Sequence, residues 1–138
     1  MNPQEWKAVL TMWVDRYWNK TEVPDEDRYV AADIEINEMS SGRRIVPTHR
    51  QLIEDIRSLR RAIPDMRFDA VQMLADEEGA AAVGELRGTV LDDRLGKSAL
   101  GRHVAIRMSF IAQFEEDLLK TLWIFTDLTR LGGILPAP

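Results

Sequence analysis

The sequence predicts an α+β domain: a cone-shaped, curved antiparallel sheet wrapped around N-terminal helices, forming an α+β barrel with an internal pocket. Two observations predict it. Apolar residues recur at helical spacing in the first half, and from residue 66 the period becomes two through four successive segments. Helices set apart from a run of strands mean α+β. A strongly curved antiparallel sheet around helices makes a cone, whose inner face is the natural ligand site. The 138 residues suit one domain, 1–138.

The first helix is read from "QEWKAVLTMWVDRYWNK", where Trp6, Val9, Leu10, Trp13, Val14, Tyr17 and Trp18 share one wide apolar face. Three Trp and a Tyr exceed what a minimal core needs, so this helix either packs plainly on a sheet or lids a cavity with flat rings. "VPDEDRYVAA" reads as a second, short helix with Pro24 in its first turn. "DIEINEM" alternates Ile34 and Ile36 against Glu35, Asn37 and Glu38, as a strand does. In "PTHRQLIEDIRSLRRAIP", Thr48 and Gln51 fit a capping box, Leu52, Ile53, Ile56, Leu59 and Ile63 form the buried stripe, and Pro64 ends the helix. "MRFDAVQML", "AAAVGELRGTV", "VAIRMSFIAQF" and "LLKTLWIF" follow as strands, with "DEEG" and "EED" as tight turns. The longer, Gly-punctuated "LDDRLGKSALGRH" is the kind of loop that covers a site.

A net charge of −5 argues against a general nucleic-acid or anionic-membrane partner, although "RSLRR" makes one local basic patch. The absence of cysteine removes disulfides, thiolate nucleophiles and Cys-ligated metals. No apolar run approaches bilayer-spanning length and the first residues carry no secretory pattern, so a cytoplasmic protein is expected. No P-loop, dinucleotide fingerprint, nucleophile elbow or His/Glu metal motif occurs. Neither a metal nor an organic cofactor is expected.

Several pieces, in order, resemble the SnoaL-like polyketide cyclases of the superfamily named for nuclear transport factor two. "YWNK" looks like that family's aromatic-Asn turn, and "RRAIPDMRFDAV" is similar to its helix end, Pro-Asp and following strand. "ELRGTV" resembles its strand ending in Gly-Thr, with Val90 where a His is common, and the stretch from Gly101 to Pro136 resembles its last hairpin, Trp-x-x-x-Asp and Leu-Gly tail. The resemblance implies the cone-shaped fold and a cofactor-free enzyme acting on a small hydrophobic or polycyclic aromatic substrate. In cyclases of this kind a pocket carboxylate removes a proton beside a carbonyl during ring closure, and an apolar cavity suits such a base by raising its pKa. Relatives hydrolyse epoxides, assist hydroxylation in polyketide tailoring, or only bind a ligand, and the fold alone does not choose. A homodimer packed through the outer faces of the sheets is expected.

Aligned on Asp127, the resemblance places the cyclase acid at Ile124 and its His at Phe110. Alternation agrees that Leu118, Leu122 and Ile124 look into the cone with Ile106, Met108 and Phe110. Asp127 then either anchors backbone N–H groups of the tail or acts as a catalytic acid. Glu85 and Arg87 lie two apart, like a charged pair of the epoxide hydrolases in reversed order; they either enter the cone as catalytic groups or form ion pairs outside it. Glu35 and Asn37 resemble the pair that holds water in those enzymes. His103, near the mouth, titrates in the physiological range and either shuttles a proton or is a surface group. His49 is expected in solvent without a role. Trp18 occupies the aromatic position that borders substrate, with Trp13 and Tyr17 beside it.

Overall fold

The computed structural model describes residues 1–20, 28–40, 42–93 and 96–127. Helix α1 spans Pro3–Trp18. Asn2 caps it, its side chain accepting from the Glu5 N–H at 2.9 Å, and Pro3 opens the first turn, where a missing N–H costs nothing. All seven apolar residues of its expected face are buried.

The first half of the expected short helix at 23–32, residues 23–27, lies outside the described residues. Where it can be compared it is corrected. Arg28 and Tyr29 form a turn, and strand β1 is already running at Val30 (Val30–Glu38). The reason is a partner: the Leu119 N–H donates to the Tyr29 carbonyl, and Val30 pairs with Leu119, so this backbone is committed to a sheet. Strand β2 (Arg44–Val46) pairs antiparallel with the end of β1 and has only three residues, too few for a period to register.

Helix α2 spans His49–Ala62 and is capped by Thr48, whose side chain accepts from the Gln51 N–H at 3.0 Å. Only half of the expected capping box forms, because the Gln51 amide donates instead to Asp55 Oδ1 at 2.9 Å. Strands β3 (Arg67–Ala75), β4 (Gly79–Thr89), β5 (His103–Glu115) and β6 (Leu118–Thr126) follow the expected meander. Glu116 and Asp117 both have positive φ, as a two-residue hairpin turn requires.

The six strands lie in the order β2-β1-β6-β5-β4-β3. The sheet is curved but not a closed barrel, and it is mixed rather than wholly antiparallel, since β1 pairs with β6 in parallel. A parallel neighbour needs a long crossover, which α2 and the meander supply. A register shift between Gln113 and Phe114 also moves the inward position at the start of β6 from Leu118 to Leu119, which is buried where Leu118 is only half-buried.

Four contacts hold this shell together, and each falls on a stretch that carried the family resemblance. Asn19, just past α1, accepts from the Phe68 N–H at 2.7 Å and donates to the Phe68 carbonyl at 3.3 Å, which fixes the helix end to β3. Asp65 Oδ1 accepts from the Thr89 N–H at 2.7 Å and so ties the Pro-Asp turn to the end of β4. Beside it Gly88 leaves room for Ile63: a Cβ there would lie 2.2 Å from Ile63 Cγ2. Arg60 donates to the Trp18 carbonyl and, at 3.3 Å, to that of Pro64.

The concave face is filled by rings. Phe110 meets Phe68 at 5.1 Å, Trp18 at 5.4 Å and Trp13 at 5.7 Å between centroids, and Trp6 stacks on Phe114 at 4.0 Å. An open groove of about 610 Å³ lies between α1 and β3–β4, bounded by Val14, Asn19, Phe68, Met73 and Ala82, while the enclosed end of the cone is nearly full. Between Trp18, α2, β1 and the last hairpin, a cavity of only about 10 Å³ remains, close to the minimum for one water.

Candidate functional site

That small cavity marks the one place where the apolar interior meets buried charge among the described residues. Its walls are Trp18 from α1, Leu52, Ile56 and Leu59 from α2, Met108 from β5 and Ile124 from β6. Glu38, Arg44, Asp55 and Thr126 complete the lining. Glu38 follows Ile34 and Ile36 on the inward face of β1 and is 5% exposed. Asp55 occupies the inward stripe of α2, one turn from Leu52 and from Leu59, and is 7% exposed.

Arg44, on β2, joins the two carboxylates. Its Nη2 donates to Asp55 Oδ2 at 3.2 Å, and its Nε lies 3.8 Å from Glu38 Oε2, an ionic contact too long for a hydrogen bond. Asp55 Oδ1 is taken up by Gln51, and Glu38 Oε1 accepts from the Ser40 N–H at 2.7 Å. Glu38 Oε2 is the least engaged oxygen of the cluster. Two carboxylates share one guanidinium, so the group carries one formal negative charge in excess. Three of the residues that line the cavity also carry a buried polar atom without a hydrogen-bond partner: Trp18 Nε1, Arg44 Nε and Thr126 Oγ1. Such orphans are rare and costly in a finished core.

The residues singled out from sequence are distributed differently. Ile106, Met108, Phe110, Leu122 and Ile124 all face inward and are buried. Trp13 and Tyr17 are buried too, but Trp13 Nε1 donates to His49 Nε2 at 3.0 Å. His49 is thus not idle in solvent, as expected; it is half-buried and holds the indole.

Of the two positions expected for Glu85 and Arg87, they take the outer face. The inward positions of β4 are Ala80, Ala82, Gly84, Leu86 and Gly88, while Glu85 and Arg87 pair with each other at 3.0 Å with 36% and 47% of their side chains exposed. Position 84 must be glycine, since a Cβ there would lie 2.1 Å from the Asp69 carbonyl oxygen on the neighbouring β3. Glu35 and Asn37 lie on the face of β1 opposite Ile34, Ile36 and Glu38; Glu35 is exposed there, whereas Asn37 is fully buried. They share that face with Arg43, whose Nε donates to Asn37 Oδ1 at 2.7 Å and whose Nη2 lies 3.6 Å from Glu35.

His103 and Asp127 come together, but outside the cone. With Ser98, Arg102 and Arg107 they line a surface hollow of about 250 Å³. His103 Nδ1 is 3.4 Å from Thr89 Oγ1, and the Asp127 N–H donates to the Arg107 carbonyl at 3.1 Å. The anchoring expected of Asp127 toward residues 128–138 lies outside the described residues.

Glu38, Arg44, Asp55 and Thr126 are not among the site residues expected from the sequence. A signal for the two acids was present nonetheless: each occupies a position that its own strand or helix otherwise reserves for Ile or Leu. Arg44 had no such signal, because β2 is too short to show a face.

A curved six-stranded sheet laid over two helices, with its polar cluster on the concave side, defines an α+β protein of the nuclear-transport-factor-two-like class. Residues 8–132 match the model of the SnoaL-like polyketide cyclases, and the chain belongs to that family. Among solved structures it is similar to a proposed polyketide cyclase from Acidithiobacillus ferrooxidans (TM-score 0.73, 20% identity, 95% of this chain and 94% of that one). It is likewise similar to AclR, a proposed hydroxylase from Streptomyces galilaeus (TM-score 0.76, 17% identity, 98% and 89%). A SnoaL-like polyketide cyclase from Agrobacterium tumefaciens aligns with TM-score 0.71 at 20% identity over 93% and 98%. At these identities the likeness is one of fold. Comparison with curated proteins gives no significant match.

Proposed function

We propose that the chain is a cytoplasmic enzyme that acts on a small, aromatic polyketide-like intermediate by side-chain acid–base chemistry on the concave face of its sheet. The observation that carries this reading is the Glu38–Arg44–Asp55 cluster set against a hydrocarbon wall. Removing such ions from water costs several kcal/mol each, and the fold could have closed this corner with apolar side chains. Membership of a family of polyketide cyclases supports the substrate class. A ring system needs more room than the cavity has, so the wall must yield on binding. Met108, unbranched and with three rotatable bonds, is the lining residue best suited to move.

Hydroxylation during polyketide tailoring is a second reading, favoured by the likeness to AclR and by the apolar residues at 110 and 124. We further propose that two copies pair through the outer sheet face. Leu74, Ala81, Ile111 and Trp123 lie in one register row across β3 to β6, with exposed Val83 and Phe125 in the next row. An exposed apolar band of this kind suits a second copy.

The test is turnover of linear and partly cyclised aromatic polyketones, followed by mass spectrometry and thermal shift. A product isomeric with its substrate, or lacking one water, supports the acid–base reading. A product that has gained one oxygen supports hydroxylation, and a raised Tm without product supports a binding protein. Neither product nor a raised Tm with any of these compounds overturns all three.

A further inference from the structure

We infer that the groove between α1 and β3 is a docking site for a short extended segment of a partner polypeptide, which adds as a strand to the open edge of β3. The segment has an uncharged stretch preceded by a Lys or Arg. This goes beyond the enzymatic reading, since the groove and the Glu38 corner share no residue. Its first basis is a contrast between the two edges of the sheet. β2 closes one edge with only three residues, set between Arg43 and Pro47. Short strands, charge and proline are the usual ways to blunt an edge. β3 forms the other edge, with nine residues and, among the described residues, β4 as its one neighbouring strand. Its last six, Ala70 to Ala75, carry no charge, and Val71 and Leu74 are 78% and 60% exposed. An uncharged edge of this length is a template for a further strand.

The second basis is the space beside that edge. The groove of about 610 Å³ separates the flank of α1, at Ala8, Thr11 and Met12, from Ala70 and Met73 of β3. A strand laid along β3 sends alternate side chains into it, and the two methionines adapt to their shape. One position already shows the backbone chemistry that this edge takes. The Asn19 side-chain amide accepts from the Phe68 N–H at 2.7 Å and donates to the Phe68 carbonyl at 3.3 Å, as a residue of a neighbouring strand would. Ala70, two residues on, repeats the orientation of Phe68, so its N–H and C=O point to the same edge. The register shift between Ala70 and Gln72 bends the edge. A bent edge suits a flexible segment better than the preformed strand of a second folded copy. Charge sets the direction. Beyond Ala75 the β3–β4 turn exposes Asp76, Glu77 and Glu78. A segment running antiparallel to β3 brings its leading residue to this turn, where a Lys or Arg meets complementary charge.

The probe is a dye-labelled peptide, acetyl-Arg-Val-Thr-Val-Thr-Val-amide, followed by fluorescence anisotropy. The wild-type protein is expected to bind it saturably. The same peptide N-methylated at every Val and Thr amide keeps its side chains but has no strand donors, and is expected not to bind. A70P removes an N–H from the edge and should weaken binding roughly tenfold or more. A8Q, at an exposed position of α1, narrows the groove and should weaken binding to a similar degree without shifting the urea midpoint. Changing Glu77 and Glu78 together to Lys should reverse the preference between this peptide and a counterpart that begins with Glu. If A70P does not fold, as judged by circular dichroism, A8Q and the methylated peptide decide the matter. Absence of saturable binding at millimolar peptide overturns the inference, as does binding that N-methylation leaves intact. Binding by A8Q within about threefold of wild type also overturns it. Equal binding of the Arg and Glu peptides overturns the charge assigned to the partner. A wild-type dimer that A70P dissolves gives the edge to a second copy and overturns the partner itself. Turnover of polyketones should be the same in A8Q as in wild type, so the enzymatic reading stands or falls separately.

Discussion

Ile124 and Glu38 stand side by side on parallel strands and line one cavity, yet they belong to two different kinds of interior. The wall on the β5–β6 side is hydrocarbon and aromatic: Met108, Phe110, Leu122 and Ile124 sit among rings with no polar partner to satisfy. The corner formed by β1, β2 and α2 buries two carboxylates and draws a guanidinium in after them. The first region is held by close contact and stabilises the fold. The second is expensive to bury, so its presence calls for a use.

The sharpest way to break the comparison is to damage each side in turn. Phe110→Ala removes the ring at the centre of the wall and should destabilise the protein by about 3–5 kcal/mol, read as a shifted urea midpoint with unchanged slope. Arg44→Met leaves two buried carboxylates without their counter-charge and should cost about 3 kcal/mol. The triple change Glu38→Met, Arg44→Met, Asp55→Leu should cost much less than that, or nothing, in the same measurement. A triple variant as damaged as the single one would mean that the corner is structural.

Two smaller effects sharpen the contrast between interior and rim. The Thr89 N–H holds the Asp65 carboxyl below its usual range. A carboxyl whose folded value is depressed stabilises the protein above its ordinary value and loses that contribution as pH falls through the depressed one. The acid side of a plot of Tm against pH should therefore be shallower in Asp65→Asn. Arg87→Gln on the outer face should change stability by less than about 0.5 kcal/mol and leave turnover unchanged.

Much of the shell was legible in the sequence because its signals are local. The α1 face, the Thr48 cap and the alternation of β3 to β6 each depend on residues a few positions apart. The motifs that resembled the family are legible for the same reason, and Asn19, Asp65 and Gly88 prove to be fastenings of the shell rather than chemistry. What escaped was non-local. Whether Glu85 or Leu86 faces inward is fixed by packing across three strands, and the alternation of "VGELRGT" suits either register. The corner draws on β1, a three-residue β2 and α2, so no single stretch displays it. Glu38 and Asp55 show in the sequence only as charges: Glu38 follows Glu35 and Asn37 and so reads with the polar side of β1, although strict alternation puts it on the face of Ile34 and Ile36.

The β1–β6 ladder has a kinetic consequence. The meander can assemble hairpin by hairpin, with short loops to close, whereas the parallel ladder joins segments roughly two thirds of the chain apart and bears a larger loop-closure entropy. It should therefore form late in folding and open early under stress. Pulse-labelling is expected to find the amides of residues 34–39 protected after those of β4 and β5. Refolding protein would then recover its tertiary fluorescence before its activity.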